Sequence, residues 1–477
     1  MQPLVRLVLL WALLLPTIAP ATAAPSAQSP PERDDAAYQF LLARHLESIG
    51  RVEEAIKAYE RAIALDSGSA ELRAELAGLY ARQDNALEAV TNAEAALARD
   101  PANQEANRIL GTVYAAYAER RLAMRKGEDP ATYPARAIAA LEKARGDGLD
   151  IGLDLVLGRL YLQTGAFDKA VPLLGHVVER QPGLVDAAIL LATAQQGAGQ
   201  SAQAVETLER ALQENPDSFR AQMRLAEVYE QDEQWNEAAN ALARAQDLNP
   251  RAPMIARRRA VALLSAGRAP ESVDLLLATI GSGRADAKDP ILLYLLAESQ
   301  RVTKDLDAAK ATAEKLIAAD PEDARGLHVL SLILQDKGDV KGAEKTLRDL
   351  IARDPLDANA LNSLGYMFAE RGERLDEAVT LVQRALKIEP GNPSYLDSLG
   401  WAYFQQGRID LADQPLTEAA DKLKDSSVVQ DHLGDLRFKQ RRFGDAAAAW
   451  ERALSGDGQS IDRAKIEGKI REARGRM

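Results

Sequence analysis

From residue 36 to about residue 454, apolar positions recur at i, i+3, i+4 and i+7 with polar residues between them. That spacing lays a single apolar stripe along an α-helix. The stripes come in pairs. A first helical segment closes on a short turn containing Gly or Asp, as in Ser48-Ile49-Gly50-Arg51 and Gln405-Gln406-Gly407-Arg408. A second segment then runs to Asp100-Pro101, Asn215-Pro216, Asn249-Pro250, Asp320-Pro321 or Asp354-Pro355. Proline cannot continue a helix and drives its predecessor out of the α region, so these dipeptides mark the ends of units.

The pairs keep time. Alanine stands at 55, 89, 170, 204, 238, 309, 343, 378, 412 and 446, and six of the steps in that series are 34 residues long. A fixed period of this size predicts one supersecondary unit stacked into a solenoid. Small residues at these places let two antiparallel helices approach, and large ones fill the gaps between neighbouring pairs.

Leu157, Gly158, Tyr161, Ala170, Leu174 and Pro182 form one such unit, and Leu225, Ala226, Tyr229, Ala238, Leu242, Ala245 and Pro250 another. Leu364, Gly365, Ala378, Ala385 and Pro390, followed by Leu399, Gly400, Tyr403 and Ala412, repeat the pattern late in the chain. These residues resemble the tetratricopeptide repeat. The resemblance implies an all-α, right-handed superhelical solenoid of about twelve helix-turn-helix repeats, over residues 36 to 454. It also implies a concave face lined by the first helix of each pair.

Two departures divide the array. The third unit begins at Leu110, Gly111 and Tyr114, but its second helix waits for Ala137, leaving an insert near 118–131. Around 253–289 Arg259 stands where leucine is expected, Ser272 replaces alanine and Gly281-Ser282-Gly283 interrupts the pattern. The expected organisation is a subarray over 36–280, a joint at 281–289, a second subarray over 290–454 and a basic capping helix over 455–477. Isoleucines at 461, 466 and 470 give that last helix its apolar face.

Composition then narrows the function. The net charge of −12 would repel phosphate backbones, so nucleic acid is not an expected partner. No cysteine is present, which excludes disulfides, thiolate metal sites and a cysteine nucleophile. His45, His176, His328 and His432 are scattered one per distant unit and read as surface or packing residues. No phosphate loop, dinucleotide turn or His-Glu-x-x-His motif occurs. Neither a cofactor nor a metal is expected, and enzyme activity is not.

The N-terminus reads as an export signal. Arg6 supplies the positive flank, Leu7 to Leu15 the apolar stretch and Ala21-Thr22-Ala23 the small residues before cleavage. Pro16 and Pro20 shorten the apolar run below the roughly 20 residues that span a bilayer. The expectation is a signal over 1–23 and a Pro/Ser-rich tether over 24–35. An exported chain would be periplasmic in a Gram-negative cell, with no membrane association beyond the signal.

Helical spacing on the implied concave face selects Asn362 and Tyr366, then Asp397, Trp401 and Phe404, then Asp431, Asp435 and Phe438 as the candidate partner-binding groove. Aromatic anchors beside carboxylates suit a peptide with apolar and basic side chains. Arg108, Arg159, Met223, Arg224, Arg257 and Arg258 give the other half a basic character.

A narrower resemblance lies in Asn362-Ser363-Leu364-Gly365-Tyr366, Asp397-Ser398-Leu399-Gly400-Trp401 and Ala449-Trp450-Glu451-Arg452-Ala453-Leu454. These runs are similar to envelope tetratricopeptide proteins of proteobacteria, among them lipoprotein adaptors that deliver cell-wall hydrolases to a carboxy-terminal processing protease. The adaptors are tethered through a cysteine, which is absent here. The resemblance implies a non-catalytic exported adaptor whose partners include an envelope protease or hydrolase. A component of a polysaccharide- or peptidoglycan-linked secretion complex is the alternative.

Overall fold

The computed structural model describes residues 35–125, 127–145, 150–283, 286–458 and 461–477. The expected signal over 1–23 and, apart from Asp35, the tether over 24–35 lie outside the described residues. Among the described residues the chain is all-α. Its elements are α1 (Ala36–Ser48), α2 (Val52–Leu65), α3 (Ala70–Arg82), α4 (Ala86–Leu97), α5 (Gln104–Arg120), α6 (Tyr133–Arg145), α7 (Ile151–Gln163) and α8 (Phe167–Arg180). They continue with α9 (Val185–Gly197), α10 (Ser201–Glu214), α11 (Phe219–Gln231), α12 (Trp235–Leu248), α13 (Pro253–Ser265), α14 (Ala269–Gly281), α15 (Pro290–Val302) and α16 (Leu306–Ala319). The remainder are α17 (Ala324–Asp336), α18 (Val340–Arg353), α19 (Ala358–Arg371), α20 (Leu375–Ile388), α21 (Pro393–Gln405), α22 (Ile409–Lys422), α23 (Ser427–Lys439), α24 (Phe443–Ser455) and α25 (Arg463–Arg474).

Each odd-numbered helix up to α23 packs on the even one that follows, giving twelve pairs and a single closing helix. The chain falls into two compact units, residues 1–181 and 182–477. In each unit a helix touches its own partner and the neighbouring pairs, as a solenoid requires.

Sequence explains the local geometry. Many first helices open on a side-chain cap: Ser69, Asn103, Asp150, Asp289, Asp323, Asp357 and Asn392 each accept from backbone N–H groups of the first turn. The turn inside several pairs passes through a left-handed residue. Gly50 and Gly407 fill that place with φ of 77° and 75°, whereas Glu233 and Lys304 hold it at 55° and 64°. A Cβ is costly there, so the non-glycine turns carry strain.

Inside the pairs, the small residues work as the period predicts. A Cβ on Gly158 would lie 2.6 Å from Leu174 Cδ2, and one on Gly400 would lie 2.5 Å from Leu416 Cγ and 3.0 Å from Leu416 N. Ala170, Ala204, Ala238, Ala378 and Ala412 are fully buried.

The insert is folded onto its own pair. Tyr133 opens α6 fully buried and stacks on Tyr114 at 5.5 Å between ring centroids. Its hydroxyl accepts from Met124 N at 2.8 Å and donates to Glu128 Oε2 at 2.6 Å. The segment 281–289 lies inside the second unit, with residues 284 and 285 outside the described set. Ser272 meets a buried counterpart: its hydroxyl lies 2.8 Å from Ser299 Oγ, joining α14 to α15. Arg259 is partly buried and donates to Gln246 Oε1 at 3.0 Å, and burial lowers its pKa.

Candidate functional site

In α19 the residues Leu361, Leu364, Gly365 and Phe368 turn into the core. Asn362, Tyr366 and Glu370 follow one another at four-residue steps on a different face. The same logic sets Asp397 and Trp401 on α21, and Asp431 and Asp435 on α23. A cavity of about 810 Å³ lies along these faces, and Tyr366, Glu370, Trp401, Asp431, His432 and Asp435 line it. Ile461, Lys465, Ile466 and Lys469 close it from α25 and the turn before it.

Four of the eight residues selected from sequence therefore share one cavity: Tyr366, Trp401, Asp431 and Asp435. The other four are placed behind or beside it. Asp397 is 5% exposed and accepts from His432 Nδ1, with Oδ1 at 3.0 Å and Oδ2 at 3.1 Å. Phe404 stacks on Trp401 at 4.9 Å with the rings 10° apart. Phe438 packs in the last pair against Phe443 and Trp450, at 5.3 and 5.7 Å between centroids. Asn362 is partly buried, and its Oδ1 has no hydrogen-bond partner.

Three residues absent from the sequence-based selection organise the cavity: His432, Glu370 and Lys469. His432 stacks on Trp401 at 4.0 Å between centroids, opposite Asp397, and its Nε2 stands 3.8 Å from Glu370 Oε1. Burial disfavours the imidazolium, but the Asp397 and Glu370 carboxylates outweigh it and raise the His432 pKa to about 10. At neutral pH the ring is a cation whose two nitrogens both donate. The His432 imidazolium, 3.8 Å away, holds Glu370 below the usual carboxylate range. Glu370 extends the four-residue step of Asn362 and Tyr366, and His432 lies one repeat beyond Asp397, so both carried a positional signal.

Lys469 carried none. It reaches from α25 to Asp431 Oδ1 at 2.7 Å and Asp435 Oδ1 at 2.6 Å. Burial alone would lower the Lys469 pKa, but Asp435 and Asp431 leave it raised. Burial, with the nearby charge of Asp431, raises Asp435. Two candidate carboxylates are thus already paired with the chain's own closing helix, where Ile466 and Ile470 pack among Ala446, Trp450 and Ala473.

The expected basic half is locally compensated. Arg108 pairs with Glu105, Arg224 with Glu227 at 3.2 Å, Arg257 with Asp289 and Arg258 with Glu230 at 2.6 Å. Each arginine is drawn to a carboxylate on its own or a neighbouring helix, which leaves little uniform positive field. Met223 packs partly buried beside a core cluster, and Arg159 lies 3.8 Å from Glu119. Three of the four histidines meet a carboxylate, His176 with Asp154 at 2.6 Å and His328 with Asp357 at 2.9 Å besides His432. Among the described residues no cluster of three or more His, Asp or Glu has the arrangement of a metal site. No described helix is long and apolar enough to cross a membrane.

Comparison with known proteins agrees with this architecture. Family models described as tetratricopeptide repeat match residues 20–70, 229–290 and 328–393, residues 195–257 and residues 292–323, together more than half of the chain. A TPR repeat-containing protein of Pseudomonas aeruginosa is 26% identical over 180 residues, 37% of this chain. The match spans 30% of that relative's own length. Among solved structures, yeast Tom70 aligns over 92% of this chain and 96% of its own, at 14% identity and a TM-score of 0.47. A tetratricopeptide protein of Thermus thermophilus aligns over 39% of this chain and 98% of its own, at 20% identity and a TM-score of 0.34.

Proposed function

This chain belongs to the tetratricopeptide repeat family, whose arrays serve as protein-interaction scaffolds, and we propose that its late pairs bind a partner's peptide segment. The observation that carries this reading is the cavity along α19, α21 and α23, where aromatic rings and carboxylates converge on one hollow. Such a hollow anchors a few side chains of a partner, while the surrounding helices exclude water. Phe404 and His432 cover the two faces of Trp401, so the indole offers no open stacking platform. A sugar ring, which stacks on open aromatic faces, finds none at this tryptophan. This favours the protein-binding reading over a polysaccharide-linked one.

The role we propose is that of a non-catalytic exported adaptor, bringing protein partners together in cell-envelope assembly or in the control of proteolysis. Export is supported by Arg6, the apolar run Leu7 to Leu15 and the small residues Ala21 to Ala23. The test is affinity capture from envelope extracts with the wild-type chain and a Tyr366→Phe, Glu370→Gln double variant, read by mass spectrometry. Recovery of a protease or hydrolase by the wild type, and its loss from an equally helical variant, is the expected result. Capture of a polysaccharide synthase complex would refute the adaptor role. An intact Met1 on exported material would refute the cleaved signal.

A further inference from the structure

Eleven of the twelve first helices carry leucine as their seventh residue, from Leu42 on α1 to Leu433 on α23, whereas α13 carries Arg259. The equivalent Leu225 on α11 is buried in a core cluster. A guanidinium at a leucine place is costly unless a carboxylate meets it. None does among the described residues. Only Nη1 is bonded, to the neutral Gln246 Oε1 at 3.0 Å. Nε is buried without a partner, and Nη2, which stays accessible, is unbonded as well. Asp247 and Glu271 act on Arg259 through charge but not at bonding distance, and burial outweighs them. A repeat rule broken at one place, with no compensating ion pair inside the chain, is the pattern expected of a functional position.

Arg259 lines a cleft of about 510 Å³ between the second helices α12 and α14, within the range of small-ligand pockets, roughly 300–1,000 Å³. Every charge on its lining has a place in the account. Glu271 is held by Arg268 through two bonds, at 2.6 and 2.7 Å. Asp247 on α12 and Asp274 on α14 are exposed and make no hydrogen bond or ion pair. Pro250, Leu275 and Ala278 supply an apolar wall. A carboxylate alone would answer Arg259 but face both free aspartates. A metal ion or a simple amine would answer the aspartates and leave the guanidinium unmade. A ligand carrying both charges on one small centre answers the whole lining. We infer that this cleft seats an α-amino-acid centre, its carboxylate on the Arg259 guanidinium and its ammonium toward Asp247 and Asp274. That centre belongs either to a free amino acid or to the end of a side chain on a larger partner. The seat lies apart from the groove of α19, α21 and α23, so its failure would leave the groove reading untouched.

The experiment titrates the full chain with L-alanine, with propionate, which lacks the amine, and with ethylamine, which lacks the carboxylate. Binding is read by saturation-transfer NMR at physiological ionic strength. Alanine is expected to bind about tenfold more tightly than either half. Nε-acetyl-L-lysine, whose free α-centre ends a long chain, separates the two sources: tighter binding than alanine assigns the seat to a larger partner, and equal or weaker binding to a free amino acid. Arg259→Leu restores the leucine of the other repeats, so it should melt no lower than the wild type and yet lose alanine binding by about tenfold. The Asp247→Asn, Asp274→Asn double variant removes two carboxylates that make no bond within the chain. It should cut the advantage of alanine over propionate to about twofold or less. Propionate or ethylamine binding as tightly as alanine to the wild type would overturn the inference. So would unchanged alanine binding in Arg259→Leu, or no binding of alanine and acetyl-lysine at millimolar concentration.

Discussion

Replacing Asp397 with Asn removes a charge from the buried partner of His432 while keeping an oxygen that can accept from Nδ1. In the native chain the His432 proton is held to about pH 10, against about 6.5 for an open-chain imidazole. A raised pKa means that this proton stabilises the fold fully below pH 6.5, and that the contribution fades as pH climbs through 10. At pH 7 linkage sets it at about 4 kcal/mol. In Asp397→Asn, burial governs and the ring is expected to be neutral at pH 7. The cost at that pH is then up to about 4 kcal/mol, reduced by whatever Glu370 retains from 3.8 Å. It should fall by about 1.4 kcal/mol for each pH unit above 7 and approach zero near pH 10. Urea unfolding of both proteins at pH 7, 8.5 and 10, read by tryptophan fluorescence, measures the difference directly because Trp401 stacks on His432. A stability difference that stays constant across those three values would refute the buried imidazolium.

Other consequences concern packing and turns. Gly400→Ala places a methyl 2.5 Å from Leu416 Cγ and 3.0 Å from its backbone nitrogen, and should lose about 1–2 kcal/mol after the helix-propensity gain, measured by thermal unfolding. Gly175→Ala on α8 meets nothing within 4 Å and should instead gain up to about 1 kcal/mol in the same assay. Glu233→Gly relieves a left-handed residue at φ 55° and should raise stability by about 0.5–1 kcal/mol, detectable as a higher urea midpoint. Ser272→Ala removes one hydroxyl of the α14–α15 pair, but Ser299 still donates to Leu295 O at 2.7 Å, so the cost should stay below about 1 kcal/mol.

Periodicity made the fold legible because each helix pair repeats the same steric demand. A small residue at Gly158 or Gly400 is needed where another helix's leucine sits, and that demand recurs every 34 residues or nearly so. The candidate site was legible only along single helices. Four-residue spacing reaches Tyr366, Trp401, Asp431 and Asp435, which one face can display. It does not say which face of α23 carries the decisive group, so His432, beside Asp431, went unselected. Lys469 was invisible for another reason. Its partners lie 38 and 34 residues back along the chain, and their meeting depends on how the closing helix docks. The same limit hid the pairing of the arginines, since composition counts charges without saying who stands beside whom. Ser272 is the converse case. It reads as damage to the alanine pattern until Ser299 is seen opposite it.

The nearest-neighbour packing of the helix pairs also has a mechanical side. Within either unit a pulling load passes from pair to pair in series, so the weakest junction, not the mean, sets how much tension the array bears. The buried bond between Asp397 on α21 and His432 on α23 works as a rivet between two consecutive pairs. Its grip is governed by a proton, so the tension at which those two pairs part would fall in alkaline solution while ordinary junctions kept their strength.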